Sequence, residues 1–417
     1  MKHPNLLVLT CFLLFATFAP SGLANHRAGS LILPGILAAG DFNQDGNLDL
    51  AVNSEGFDLV AILLGDGNGG FTLAGHFATD TLPKGLQVGD VNGDGYLDVV
   101  SCTSWGYDQI VLLGDGTGAL HSASPPNEID GDGEPPRFLL RDFNHDGRLD
   151  MAVGAPDDNK VQIYLGDGKG NFPAPPIEVE GVPHGFGMAS GHLNGDDNLD
   201  IAIACPSRPP GSAQIAILLG DGTGNFTVSS VPITLQPVSV QVGDLNGDGT
   251  LDLVVAGSVP GNSSGNFIST FLGDRTGKFS LEQTLSLGSG CLKGDIALGD
   301  FNEDGNLDVA FPQSSVQMPG VHGTKVLIFF GDGTGQLTAG PVLTVGTEPH
   351  TVIAVDLNHD GHLDLAVSNR TDGTVSALLG DGHGNFTVSS TTSILSPSAP
   401  LPDPQTRPRL HNGNCND

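Results

Sequence analysis

Short apolar runs recur along the chain and are cut by Gly, Asp, Asn and Pro. Leu97-Asp-Val-Val-Ser101, Leu251-Asp-Leu-Val-Val-Ala256 and Ile217-Leu-Leu-Gly-Asp-Gly222 are typical. Runs of this length, rich in Val, Ile and Leu and bounded by turn formers, predict β-strands. Nowhere does a 3.6-residue apolar periodicity persist for three turns, so helix is expected to be nearly absent.

The runs come in a fixed order, and the order repeats. A turn, often with Pro, leads into an apolar stretch such as Pro83-Lys-Gly-Leu-Gln-Val-Gly-Asp90. Pro34, Pro135, Pro237 and Pro349 stand at the same offset of seven before an acidic loop. After the loop comes a β-type run, then a second run ending in Gly-Asp-Gly, as in Ile62-Leu-Leu-Gly-Asp-Gly67 and Val111-Leu-Leu-Gly-Asp-Gly116. A more polar strand closes the unit. Gly-Asp-Gly-x-Gly is a hairpin signal, because glycine supplies the positive φ that tight turns need. A phosphate cradle is disfavoured, since no helix and no Lys-Ser/Thr pair follows. The apolar residue after each hairpin (Phe71, Phe172, Phe226, Phe279 and Phe386, with Leu120 and Leu337 in two copies) is assigned to core between repeats.

Four strands in each of seven repeats predict an all-β fold, a seven-bladed β-propeller of four-stranded blades, over residues 25–395. Extra residues at 257–266 and 313–324 should be excursions on one rim. The strand count starts on an innermost strand and ends on an outermost one, so no strand shared between the termini is evident. Residues 26–33 are available as a short edge strand.

The acidic loop carries the chemistry. Asp41-Phe-Asn-Gln-Asp-Gly-Asn-Leu-Asp49 places acid or amide side chains at positions 1, 3, 5 and 9, with Gly at position 6. Alternating oxygen donors and a sharp glycine turn are what a hard cation needs from a short segment, and position 7 would offer its backbone carbonyl. The loop recurs as DVNGDGYLD from Asp90, DFNHDGRLD from Asp142, DLNGDGTLD from Asp244, DFNEDGNLD from Asp300 and DLNHDGHLD from Asp356. A seventh copy, HLNGDDNLD from His192, departs at positions 1 and 6. The starts lie 49 to 56 residues apart, too regular for chance.

Charge then narrows the partners. The 417 residues carry a formal net charge of −31, which excludes nucleic acid and an anionic membrane surface as natural partners. Residues 1–24 read as a secretory signal: Lys2 and His3, an apolar run from Leu6 to Ala19, and Gly22-Leu-Ala24 before a cleavage point. The run is short for a membrane span and no other stretch could cross a bilayer, so a secreted, extracellular protein without a membrane span is expected, as a monomer. Cys102 and Cys205 close equivalent strands of non-adjacent repeats and read as small core residues. A pairing of Cys291 with Cys415 is left open. Residues 396–417 are Pro-rich and polar, the composition of a flexible tail.

The repeats resemble FG-GAP/VCBS repeats, the blades of integrin α-subunit propellers and of many exported bacterial proteins. The likeness covers roughly residues 31–395, and Gly154-Ala-Pro156 spells the GAP element. It implies that each loop joins the first two strands of a blade and binds Ca2+, up to six ions in all. The implied ligands are Asp41, Asn43, Asp45 and Asp49 with the Asn47 carbonyl, and Asp90, Asn92, Asp94 and Asp98 with that of Tyr96. Next come Asp142, Asn144, Asp146 and Asp150 with Arg148, and Asp244, Asn246, Asp248 and Asp252 with Thr250. Asp300, Asn302, Asp304 and Asp308 with Asn306, and Asp356, Asn358, Asp360 and Asp364 with His362, complete the six. His192 breaks the pattern in the fourth blade. These ions are expected to be structural.

Function must be read from a site, because propellers host unrelated activities. The turns entering the innermost strands should form a rim opposite the loops, carrying Lys84, Arg137, His184, Lys293 and His350 around a channel mouth. Such a rim would suit an anionic or hydroxyl-rich ligand; the alternative is a set of solvated turn residues. Trp105 beside Tyr107 is a single candidate sugar platform. No Gly-x-Ser-x-Gly and no His-Glu-x-x-His element occurs, and no catalytic residue is assigned, although His184, His350 and Asp295 would lie near one another. The expected function is a calcium-binding module for an extracellular protein or glycan. The alternative is a calcium-dependent carbohydrate-active enzyme of polysaccharide lyase or dehydratase type, since the resembled family includes such members.

Overall fold

Seven antiparallel sheets follow one another along the chain, with strands paired in sequence order. The computed structural model describes residues 34–395 except 55, 80–82, 104–107, 124–126, 129–136, 156–158, 184, 207–210, 260–261, 289–291, 293 and 316–321. The expected signal segment (residues 1–24) and tail (residues 396–417), residues 26–33, Cys291 and Cys415 lie outside the described residues. Blade 1 comprises Pro34–Gly40, Asp49–Ser54, Leu59–Gly65 and Phe71–Ala78. Blade 7 comprises Pro349–Val355, Asp364–Asn369, Thr374–Gly380 and Phe386–Ser393. The blades between open with Pro83–Gly89, Phe138–Arg141, Met188–Gly191, Gln236–Gly243 and Ala297–Gly299. No helix occurs among the described residues. In blade 2 the outer strand is split into Leu120–Ser122 and Asn127–Glu128, both paired with Asp108–Gly114.

Burial explains the sequence pattern. Asp49–Ser54 and the first five residues of Leu59–Gly65 are buried on both faces, because each middle strand is sandwiched between neighbouring blades. Such strands read as continuous apolar runs. The outer strand Phe71–Ala78 alternates half-buried and exposed positions and reads as polar. Seven hydrophobic clusters fill the seven seams. One joins Leu50, Val52 and Leu63 of blade 1 to Ala366, Val375 and Ala377 of blade 7. Each fully buried Leu, Ile or Val contributes about 1.5–3 kcal/mol. Cys102 and Cys205 are free thiols within these seams, and burial pushes Cys205 up to about 12.

The ring closes without strand exchange among the described residues. Ser368 of blade 7 donates to the Gly35 carbonyl at 2.7 Å, and Ser390 to that of Gly69 at 2.8 Å. The same device recurs elsewhere: Asn53 of blade 1 donates to the Pro83 carbonyl and Ser314 of blade 6 to that of Pro349. The recurrent prolines thus mark where one blade grips the next. In blades 5 and 6 the described parts of the inserts extend a hairpin: Asp252–Val259 pairs with Asn262–Gly273, and Asp308–Ser315 with His322–Gly331.

Candidate functional site

Each acidic loop joins the first and second strands of its blade, and its position-9 aspartate is the anchor. Asp49 is fully buried; its Oδ2 accepts the Phe42 N–H at 2.8 Å and its Oδ1 the Gly65 N–H at 2.8 Å. Phe42 is loop position 2, and Gly65 opens the Gly-Asp-Gly hairpin of the same blade. The pair of bonds recurs in all seven blades, for example at Asp98 with Val91 and Gly114 and at Asp308 with Phe301 and Gly331. A Cβ on Gly65 or Gly114 would collide with the Leu48 or Leu97 carbonyl. The two motifs therefore form one unit, which is why they travel together in the sequence. Burial pushes the Asp98, Asp150 and Asp308 carboxyls up to about 6, against the pull of the two N–H bonds. The other position-9 aspartates are raised by the same cause.

The remaining donors are more exposed. In the six intact loops the position-6 glycine N–H donates to Oδ2 of the position-1 aspartate, as from Gly46 to Asp41 at 2.9 Å and from Gly305 to Asp300 at 2.8 Å. The position-3 Asn and position-5 Asp bond to each other, as Asn92 to Asp94 at 2.8 Å. Position 6 takes φ between 70° and 90°, which glycine adopts without strain. No group of three or more His, Cys, Asp and Glu side chains converges as it would around an ion among the described residues; backbone N–H groups hold the carboxylates instead. The donor set nonetheless fits a hard cation. It is all oxygen, the position-9 charge is costly where it sits, and no described group donates to the position-7 carbonyls of the intact loops.

Blade 4 is different. His192 Nδ1 donates to the Asn198 carbonyl, the position-7 oxygen, at 2.9 Å. Asp197 at position 6 does not take the positive φ of the intact loops. Asp200 accepts a third N–H, from Asn194 at 3.2 Å, besides those of Leu193 and Gly220.

Several working residues were missed in the sequence. Position 4 is left-handed in every loop, and Gln44, His145, Glu303 and His359 hold φ of 56–60° without being glycine. That conformation costs an ordinary residue about 1–2 kcal/mol. Three of the four reach the next blade: Gln44 to the Gly95 carbonyl at 3.2 Å, His145 to Asn198 Oδ1 at 3.2 Å, and Glu303 to His362. The aspartate of each Gly-Asp-Gly turn caps its own hairpin, as Asp115 does for Thr117 and Asp221 for Thr223. Arg275 stands where the other blades have the second glycine, at φ 64°, and donates to the Asp248 carbonyl and Thr250 Oγ1. That break in a glycine motif was a readable signal.

At the channel mouth the structure brings together two of the expected groups. Arg137 Nη1 donates to Asp295 Oδ2 at 3.0 Å, and Ser239 reaches Asp295 Oδ1 at 3.4 Å. This strut links blade 3 to the segment entering blade 6. The Arg137 charge is thus neutralised within the protein. His350 is buried, 5% exposed, beside Thr351, so it is not a solvated rim residue. Lys84 is half-buried at the start of blade 2. Trp105, Tyr107, His184 and Lys293 lie outside the described residues. A cavity of about 50 Å³ is lined by Ile36, Gln87, Arg137, Met188 and Asp295 among others. It has room for a few waters and is far smaller than the ~300 Å³ or more of an ordinary ligand pocket. Replacing Arg137 by Met is expected to lower stability by about 1–2 kcal/mol, and much less when Asp295 is already Asn. Urea unfolding of the four members of this cycle measures the coupling; additive effects would exclude the strut.

A closed ring of antiparallel blades, each with an oxygen-donor loop locked to its own glycine hairpin, defines a class of repeat propeller. The FG-GAP-like repeat profile matches residues 41–101, 142–203 and 192–255. Repeats and ring together make the chain an FG-GAP repeat β-propeller protein. Among solved structures it is similar to a protein from Lactobacillus plantarum, at 13% identity and a TM-score of 0.58, covering 88% of this chain and 98% of that one. A functionally unknown protein from Desulfotomaculum acetoxidans matches at 12% identity and a TM-score of 0.54, covering 81% of this chain and 89% of the other. At such identities the likeness concerns the fold. No helix among the described residues is long and apolar enough to cross a membrane.

Proposed function

We propose that this chain is an exported binding module for an extracellular protein or glycan, stiffened by calcium in its six intact loops. One observation carries the calcium reading: six loops at the same place in six blades share the same oxygen donors, the same turn and an unengaged position-7 carbonyl. Asp41, Asn43, Asp45 and Asp49 with the Asn47 carbonyl would hold the ion in blade 1, and the matching residues in blades 2, 3, 5, 6 and 7. Calcium would supply charge compensation and cross-linking there, not chemistry. A propeller with an acidic loop in each of six blades, and whose described axial cavity of about 50 Å³ has room for a few waters, suits recognition on its outer faces. The sequence of residues 1–24 supports export.

The test is a glycan array probed with the mature protein in calcium and in chelator. Calcium-dependent retention of a defined glycan is the expected result for the glycan form of the reading. Release of unsaturated sugar absorbing in the ultraviolet would replace it with a lyase.

A further inference from the structure

We propose that His192 takes the place of the cation in blade 4, so that this loop is closed by an imidazole and stays out of the calcium set. The inference rests on the calcium reading of the other six loops. In those loops position 1 is an aspartate whose Oδ2 holds the position-6 N–H, and the position-7 carbonyl has no hydrogen-bond donor among the described residues. In blade 4 position 1 is His192, and its Nδ1–H donates to the Asn198 carbonyl at 2.9 Å. A ligand oxygen in the other blades is here an acceptor already in use. The same residue is held a second time: His145 of blade 3 donates through Nε2 to Asn198 Oδ1 at 3.2 Å.

The rest of the loop is adjusted to match. Asp200 takes three backbone N–H groups where Asp49 takes two, which further meets its charge without a metal. Asp197 replaces the glycine whose left-handed turn aligns positions 5 to 7 in the intact loops. A cation entering this loop would have to displace the imidazole from Asn198 and would gain one carboxylate fewer at position 1. Blade 4 is thereby the one blade whose loop order does not depend on calcium.

The experiment uses the full mature chain. Bound calcium is counted by plasma emission spectrometry after gel filtration, and amide exchange of the seven loops is followed in calcium and in chelator. The expected count is six for the wild type and seven for His192→Asp combined with Asp197→Gly. Exchange over 193–200 should be the same in both buffers, while the other six loops exchange at least tenfold faster in chelator. His192→Ala should speed exchange over 193–200 in both buffers and leave the count at six. Seven ions in the wild type, or a blade-4 loop that loosens in chelator together with the others, would overturn the proposal. If the wild type binds no calcium, it is the calcium reading that fails. The imidazole latch then stands or falls on His192→Ala, upheld by faster exchange over 193–200 and overturned by unchanged exchange.

Discussion

In excess chelator the mature protein is expected to melt roughly 10 °C below its melting temperature in ~1 mM calcium. Extracellular calcium modules in general bind the ion with dissociation constants of about 10⁻⁴ to 10⁻³ M. At the tight end, each site adds about RT ln 11, or ~1.4 kcal/mol, at ~1 mM calcium. Six sites then add on the order of 8 kcal/mol, as much as the whole stability of many domains. With an unfolding entropy of ~2 cal/mol/K per residue, that gives a shift of about 10 °C for a ring of this size. The metal-free chain should nevertheless remain folded at low temperature, because every position-9 aspartate keeps its two backbone N–H bonds and the seam clusters are unaffected. Scanning calorimetry in both buffers measures the difference. Superimposable transitions would remove calcium from the account of this protein.

How far the sequence reached depends on the range of the interaction concerned. Blades and loops were legible because they rest on contacts within one repeat, and the same residue types recur at each copy. Asp98 and Gly114 stand 16 residues apart and are joined in the same way seven times over. What spans repeats was mostly not legible. Arg137 and Asp295 are 158 residues apart, and nothing local to either announces the pairing. His350 follows a proline as the half-buried Lys84 does, yet the fold encloses it. The inserts at 257–266 and 313–324 were expected as excursions on one rim, and their Gly, Ser, Asn and Pro content carries no strand signal of its own. Cross-strand pairing overrides that propensity and carries strand structure into both. Closure was not readable either, since Ser368, Ser389 and Ser390 gain their meaning only when blade 7 meets blade 1.

Positions 9 and 5 of a single loop should respond in opposite ways to removal of the metal, and blade 2 shows why. Asp98 is fully buried and accepts Val91 N–H at 2.9 Å and Gly114 N–H at 2.8 Å. Asp98→Ala leaves both donors without an acceptor, and an orphaned buried group costs about 1–3 kcal/mol. The variant should lose roughly 2–4 kcal/mol even in chelator, with the Gly-Asp-Gly hairpin of blade 2 loosened along with the loop. Asp94 is exposed, and its carboxylate accepts from Asn92 Nδ2 and the Tyr96 N–H within the loop. Asp94→Ala should therefore be within about 0.5 kcal/mol of the wild type in chelator. In calcium it should fall short by about the ~1.4 kcal/mol of one lost site. Urea unfolding of both variants in both buffers separates the two roles. An Asp94→Ala deficit that persists undiminished in chelator would show that position 5 is a turn residue and not a ligand. An Asp98→Ala protein as stable as the wild type in chelator would show that the two N–H bonds at position 9 do not hold the blade together.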